Sequence, residues 1–426
     1  MSKKGIYYGW WILASSIVIL FLTGIAFFGI SSYYPSLIDT FGWSRSRLLV
    51  SNTILQWAYG GMGLVWGVIA DKRGVRLVLS IGAACVALSY LLFTQVSALW
   101  QLYALAITLG AGLSAMGYLP NQILQSRWFV NRRGLAIGVI NAASGLGGAI
   151  APIVITFLII RLGWRSSMGL IDVLFLTLPF MLIVFVIRER PKDLGLHPDG
   201  VAAEAAAADF RQGKPPLAQT AKSFRGIFLM PVFWVIIGAV FFAAGTIGTT
   251  IHLLILYLRD SGFSPAIAAS ALSLEFGFSI VGRVGFGSLS DYFSARKVGI
   301  VSFTLLGSSM LLLFGVRTTG VLVLFAVIHG LGHGAVVSFF PLMLAEAFGT
   351  KQHIGRLLAI GHLAYSAGIG SIPIISGYAF DTTGSFGLGF IINSIMTLLG
   401  ALGLLVIGRY WQQAMVKPVP TLSASS

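Results

Sequence analysis

Arg283 lies within the apolar run Leu272-Ser273-Leu274-Glu275-Phe276-Gly277-Phe278-Ser279-Ile280-Val281-Gly282-Arg283-Val284-Gly285-Phe286-Gly287. A guanidinium stays charged at any relevant pH and presents a planar fork that matches a carboxylate. Glu275 shares the run, and position 283 lies about 12 Å along an α-helix from it. A carboxyl group held between burial and a neighbouring arginine can take up and release a proton. It can equally serve as a hydrogen-bonding link between helices. Histidines titrate nearest neutrality, and His252, His329, His333 and His362 all fall in apolar segments. His329 and His333 have the i, i+4 spacing of a metal pair, but no third ligand stands near them in sequence, so no metal or other cofactor is expected. Tyr118, Asn121, Gln122 and Gln125 form a polar patch in another apolar segment, and Tyr365 is one turn beyond His362. These groups can hydrogen-bond a carboxylate or a hydroxyl, and Asn121 is the first choice among them.

The chain positioning these groups has 426 residues, 57% hydrophobic and only 10% charged. A water-soluble protein of this length exposes too much polar surface for that balance. A helical span needs about 20 apolar residues. Twelve candidate spans can be drawn, at 9–37, 48–70, 76–96, 98–125, 134–160, 166–187, 231–257, 265–290, 297–316, 320–346, 355–379 and 386–409. Their apolar runs do not alternate as barrel strands do. An all-α membrane protein of twelve transmembrane helices is expected, with the first span retained rather than cleaved. The 52 glycines suit close helix packing in lipid. The single cysteine, Cys85, excludes a disulfide framework and a cysteine metal site.

The net charge of +15 does not point to nucleic acid, because most of it falls in alternate connections. Lys3, Lys4, Lys72, Arg73, Arg76, Arg127, Arg132, Arg133, Arg188, Arg190, Lys192, Arg296, Lys297, Lys351 and Arg356 lie on one side, with few bases opposite. The positive-inside rule makes that side, with both termini, cytoplasmic, and a cell (inner) membrane location is expected. The long polar stretch at 191–226 reads as a cytoplasmic linker between an N-terminal six-helix bundle (1–190) and a C-terminal one with a cytoplasmic tail (227–426). The halves repeat at an offset of about 220 residues. Gly42-Trp43-Ser44 answers Gly262-Phe263-Ser264, Asp71 answers Asp291, Pro120 answers Pro341 and Pro152 answers Pro373. Ser44 and Ser264 are expected helix N-caps, with Pro265 in the first helical position.

Gly67-Val-Ile-Ala-Asp71-Lys72-Arg73-Gly74-Val75-Arg76 resembles the signature loop between helices 2 and 3 of the major facilitator superfamily. Tyr8-Gly9-Trp10-Trp11, Phe41-Gly42-Trp43-Ser44 and Arg127-Trp128-Phe129 through Arg133-Gly134-Leu135-Ala136 resemble the monocarboxylate transporters and the related oxalate–formate exchangers. The resemblance implies two pseudo-symmetric six-helix bundles that rock about a central site. It also implies cotransport of a proton with a small organic monoanion such as lactate or pyruvate, by a protein acting as a monomer in lipid. An arginine in span 8 is that family's anion anchor, which implies this role for Arg283. Asn121, Tyr118, Tyr365, His252, His333 and His362 are expected to line the cavity. Glu275 or a histidine such as His252 is expected to carry the proton. Asp71, Arg73, Asp291 and Arg296 are expected to form a cytoplasmic gate.

Two departures matter. Members of the family often carry an aspartate four residues before the arginine, where this chain has Ser279. The exchangers carry a second cation, a lysine, at the place of Gly368. One buried cation balances a monoanion but leaves a dianion half-neutralised, at a high cost in a low-dielectric interior. A carboxylate exchanger remains the alternative, and no arrangement of nucleophile and base suggests an enzyme.

Overall fold

A computed structural model describes residues 7–129, 132–200, 224–289, 293–348 and 354–408. Twelve of its helices are long and apolar enough to cross a membrane. In chain order they are α1 (Gly9–Phe41), α2 (Arg45–Arg73), α3 (Val75–Phe93), α4 (Leu99–Trp128), α5 (Arg133–Leu162), α6 (Trp164–Val186), α7 (Pro231–Asp260), α8 (Pro265–Leu289), α9 (Ala295–Leu312), α10 (Thr319–Phe348), α11 (Ile354–Thr383) and α12 (Gly387–Val406). Trp100, Phe157 and Phe185 are among many large apolar side chains left exposed, as lipid requires and water does not tolerate in such number. The chain is an integral, multi-pass membrane protein.

The duplication is visible in the backbone. Gly42 and Gly262, equivalent in the two halves, both adopt positive φ (66° and 85°), a conformation that costs other L-residues a Cβ clash. Each is followed by the expected cap: Ser44 accepts a hydrogen bond from Arg47 N and Ser264 from Ile267 N. Pairings repeat as well. α1 packs on α5 as α7 does on α11, and α2 on α4 as α8 does on α10. The two bundles meet through α2 with α11 and α5 with α8.

The halves differ at one instructive place. Span 4 reads as continuous in the sequence, but α4 breaks at Gly117, whose backbone is extended. Pro120 has no N–H to give the Met116 carbonyl. The Asn121 Nδ2 donates instead to Met116 O and Gly117 O, both at 2.8 Å. In the second half Leu342 follows Pro341, and α10 runs on as helix. α1 is likewise longer than expected, passing through a 3-10 turn at Ile30–Tyr33 before ending at Phe41.

The face where α1 begins and the linker starts is the linker end, and the face bearing Gly42 and Gly262 is the far end. Residues 191–200 form short 3-10 turns at Pro191–Leu194 and Pro198–Gly200. The expected linker from 201 to 223 lies outside the described residues.

Candidate functional site

Glycines set the site's dimensions by letting α10 lie against α8. A Cβ at Gly330 would strike the Glu275 carbonyl, and one at Gly334 would strike the Ser279 carbonyl and Arg283 N. With both positions bare, the backbones approach closely, and His333 between them reaches Glu275. His333 Nδ1 and Glu275 Oε1 are 2.8 Å apart, with both side chains almost wholly buried. The other Glu275 oxygen, Oε2, has no hydrogen-bond partner. One turn earlier on α10, His329 Nδ1 meets Ser309 Oγ of α9 at 2.9 Å, while its buried Nε2 has no partner. The i, i+4 histidines therefore make separate bonds.

Arg283 is nearer the linker end, about 9 Å from the end of α8 at Leu289. It is half-buried and crosses to the other bundle. A Cβ built on Gly145 of α5 would lie 3.2 Å from Arg283 Nη1. Among the described residues Arg283 has no ion pair, and its buried Nε has no acceptor. Its charge acts on Glu275 and on Tyr365 of α11. Tyr365 lies near Tyr118 of α4 and Tyr59 of α2. It also stacks against Phe340, whose edge contacts the exposed ring of His362. Arg283, Tyr365, Tyr118, His362 and the Glu275–His333 pair thus come from α4, α8, α10 and α11 to a common region.

Towards the far end an aromatic layer bounds this region. Phe28 of α1 and Phe276 of α8 have centroids 4.7 Å apart, and Phe27 packs on both Phe28 and Tyr59. Gly148 of α5 leaves room for the Phe28 and Phe276 rings. Beyond them ionic and backbone contacts join the bundles. Arg45 of α2 pairs with Asp260 of α7 at 2.5 Å and lies 3.8 Å over the Phe380 ring. Arg259 pairs with Asp39 of α1 at 2.7 Å. Asp381 of α11 accepts from Arg45 N (3.2 Å) and Ser46 N (3.0 Å), capping α2 from the opposite bundle. Thr53 donates to Gly370 O at 2.5 Å. The far end is closed.

Several expectations meet different geometry. Asn121 is fully buried, and its amide is committed to the break in α4 rather than to an open cavity. Gln125 ties α4 to Ser16 of α1. His252 is buried beside Tyr34 with neither ring nitrogen hydrogen-bonded, and no charged group acts on it. The structure does not bring it to Arg283. A side chain at Gly368 would strike the Phe241 carbonyl of α7, so glycine there reflects helix packing. Among the described residues, the contacts expected of the linker-end gate are not formed. Asp71 and Arg73 are exposed with no partner among the described residues, and Arg296 donates to Leu404 O within its own bundle. Asp291 lies outside the described residues. Among the described residues, two acids organise that end instead: Glu189 accepts from Arg76 N (2.6 Å) and pairs with Arg127 (2.6 Å), and Glu346 accepts from Ala295 N (2.5 Å). Sequence reasoning passed over Glu189, Tyr59, Ser309, Asp260 and Asp381. Tyr59 alone carried a usable signal, as the repeat counterpart of Ser279, one turn before Arg283.

Comparison with known proteins agrees with this architecture. The sequence matches the family model of the Major Facilitator Superfamily over residues 16–290 and again over 248–421. Monocarboxylate transporter 12-B of Danio rerio is 23% identical over 95% of this chain and 88% of its own length. A probable L-galactonate transporter of Escherichia coli is 24% identical, over 87% of this chain and 83% of its own. Among solved structures, a bacterial homologue of the human lysosomal transporter Spinster superposes with a TM-score of 0.75. That likeness has 15% identity and covers 97% of this chain and all of the other. A doubled six-helix architecture, the signature loop after α2 and a match across most of the sequence leave one conclusion: the chain belongs to the major facilitator superfamily, with monocarboxylate transporters among its relatives.

Proposed function

We propose that this transporter is a proton-coupled symporter of small monocarboxylates of lactate or pyruvate type. The bundles of residues 1–190 and 227–426, joined by the linker at 191–226, rock about the site as a single monomer. The linker end and both termini face the cytoplasm across a cell membrane, a reading supported by the basic residues of the connections on that side. The observation supporting the reading is the Arg283 guanidinium, which has no ion pair among the described residues and projects from one bundle onto the Gly145 face of the other. A charge in this position is costly unless it has work to do. A carboxylate can meet its fork with two parallel hydrogen bonds, and Tyr365, Tyr118 and His362 stand near to hold the rest of a small acid. Glu275 or a histidine carries the proton. Two relatives are named for monocarboxylates and for L-galactonate, which itself bears one carboxylate.

Arg283 is the only lysine or arginine far from a helix end among the described residues of the spans, and this charge inventory favours a monoanion. Detergent-purified protein titrated with acetate, pyruvate, lactate and oxalate checks it. Monoanions should raise the melting temperature of the wild type and leave Arg283→Ala unmoved. Stronger stabilisation by oxalate than by any monoanion would refute the assignment.

A further inference from the structure

We propose that the buried Glu275–His333 pair, with His329 beside it, is the proton store of this transporter, and that its charge sets the affinity of Arg283 for the substrate anion. This rests on the symport reading and deepens it. The charged and titratable groups around Glu275 come from two helices: α10 contributes His333 and His329, and α8 itself contributes Arg283. Tyr365 of α11 lies near both Glu275 and Arg283. α5 has no titratable residue between Leu135 and Ile160, and none from α7 acts on Glu275.

With one proton on the pair, whether as carboxylate and imidazolium or as carboxylic acid and imidazole, its net charge is zero. Without that proton it is minus one. Two buried atoms without partners, Glu275 Oε2 and His329 Nε2, are available to receive or pass the proton, and Ser309 holds the His329 ring. Arg283 contributes plus one in every state. Proton bound and anion bound therefore sum to zero, and so does the empty carrier, in which the deprotonated pair balances Arg283. Proton alone leaves plus one, and anion alone leaves minus one. An uncompensated charge in a low-dielectric interior is strongly disfavoured. Only the fully loaded and the empty carrier are then free to rock, which is the rule a symporter must obey.

The coupling strength follows from position. About 12 Å of helical rise separates residues 275 and 283. At an effective dielectric constant of about 20, one charge changes the other site's affinity about tenfold. The sign is definite. Protonation at low pH leaves Arg283 uncompensated and favours the anion, and deprotonation at high pH weakens binding about tenfold. By linkage, binding the anion draws a proton onto the pair.

The test uses full-length protein in weakly buffered detergent, with lactate as the probe. Near the pH midway between the pair's titration without and with lactate, the wild type should take up about half a proton per bound lactate, the most that a tenfold coupling allows. Glu275→Gln should take up none, bind lactate with little dependence on pH, and bind it about tenfold tighter than the wild type at high pH. In proteoliposomes this variant should still exchange lactate at a reduced rate while losing accumulation driven by a pH gradient. A purely structural role for Glu275 would weaken binding at every pH instead. His333→Gln provides a second variant with the same expected loss of proton uptake. If neither variant folds, the wild type decides, since lactate binding without proton uptake overturns the proposal. A wild type that fails to accumulate lactate under a pH gradient overturns the symport reading and this proposal together. A wild type that accumulates lactate while both variants still take up protons overturns the proton store alone.

Discussion

Removing the Asp381 carboxylate should open the far end measurably. Asp381 of α11 accepts from the first two N–H groups of α2, so it closes the bundles together and caps a helix in one contact. Losing an N-cap costs about 1 kcal/mol, and the carboxylate also meets the positive end of the helix dipole. When the bundles separate at this end the contact is lost, so Asp381→Ala removes about 1 kcal/mol from the closed state, about fivefold in the closed-to-open ratio. The Arg45–Asp260 and Arg259–Asp39 pairs are partly exposed and contribute only a few tenths of a kcal/mol each after screening. Arg45 over Phe380 adds about 0.5 kcal/mol. Removing Asp381, Arg45 and Arg259 together should shift the ratio about thirtyfold, about 2 kcal/mol. The assay replaces Cys85 by serine, introduces a reporter cysteine at Ser371, which Trp57 of the other bundle contacts, and follows labelling by a membrane-impermeant maleimide. Labelling should rise about fivefold in Asp381→Ala and further in the triple variant. Unchanged labelling in the triple variant would refute the idea that these contacts hold the far end shut.

Other consequences are sharper at single residues. Arg283→Lys keeps the charge but loses the fork, and should raise the KM for lactate about tenfold in uptake assays. Asn121→Leu strands the Met116 and Gly117 carbonyls, costing about 1–3 kcal/mol. It should lower the melting temperature and leave lactate affinity within about twofold, whereas a large affinity loss at unchanged stability would return Asn121 to the binding site. Gly334→Val drives a side chain into the Ser279 carbonyl, and should destabilise the protein by about 1–3 kcal/mol. It should also abolish proton uptake on lactate binding, because His333 then loses Glu275.

Much of the fold was legible because lipid imposes simple rules. Apolar runs of about 20 residues must be helices, and Ser44 and Ser264 marked two helix starts within a residue. Arg283 was legible for the same reason, since an arginine in an apolar run calls for a partner or a function. What escaped was pairing across distance. Arg45 and Asp260 belong to different connections, and neither side chain reveals which opposite charge it will meet. Asn121 stood out as a polar group in a span, but the carbonyls that use its amide are freed by Pro120 together with the extended conformation at Gly117. Gly368 suggested an absent cation until the Phe241 carbonyl supplied a packing reason. His333 and Glu275 were each noticed, yet their contact depends on Gly330 and Gly334 bringing two backbones together.

The central claim is that proton and monoanion cross together, with Arg283 holding the anion. The direct measurement is uptake of labelled lactate into proteoliposomes free of internal substrate, under an imposed pH gradient, by the wild type and Arg283→Ala. The account predicts transient accumulation above the external concentration in the wild type, collapse on adding a protonophore, and loss of saturable uptake in the variant, at least about 100-fold for a lost charge-assisted pair. Uptake that ignores the pH gradient and requires internal carboxylate, or saturable uptake retained by Arg283→Ala, would contradict it.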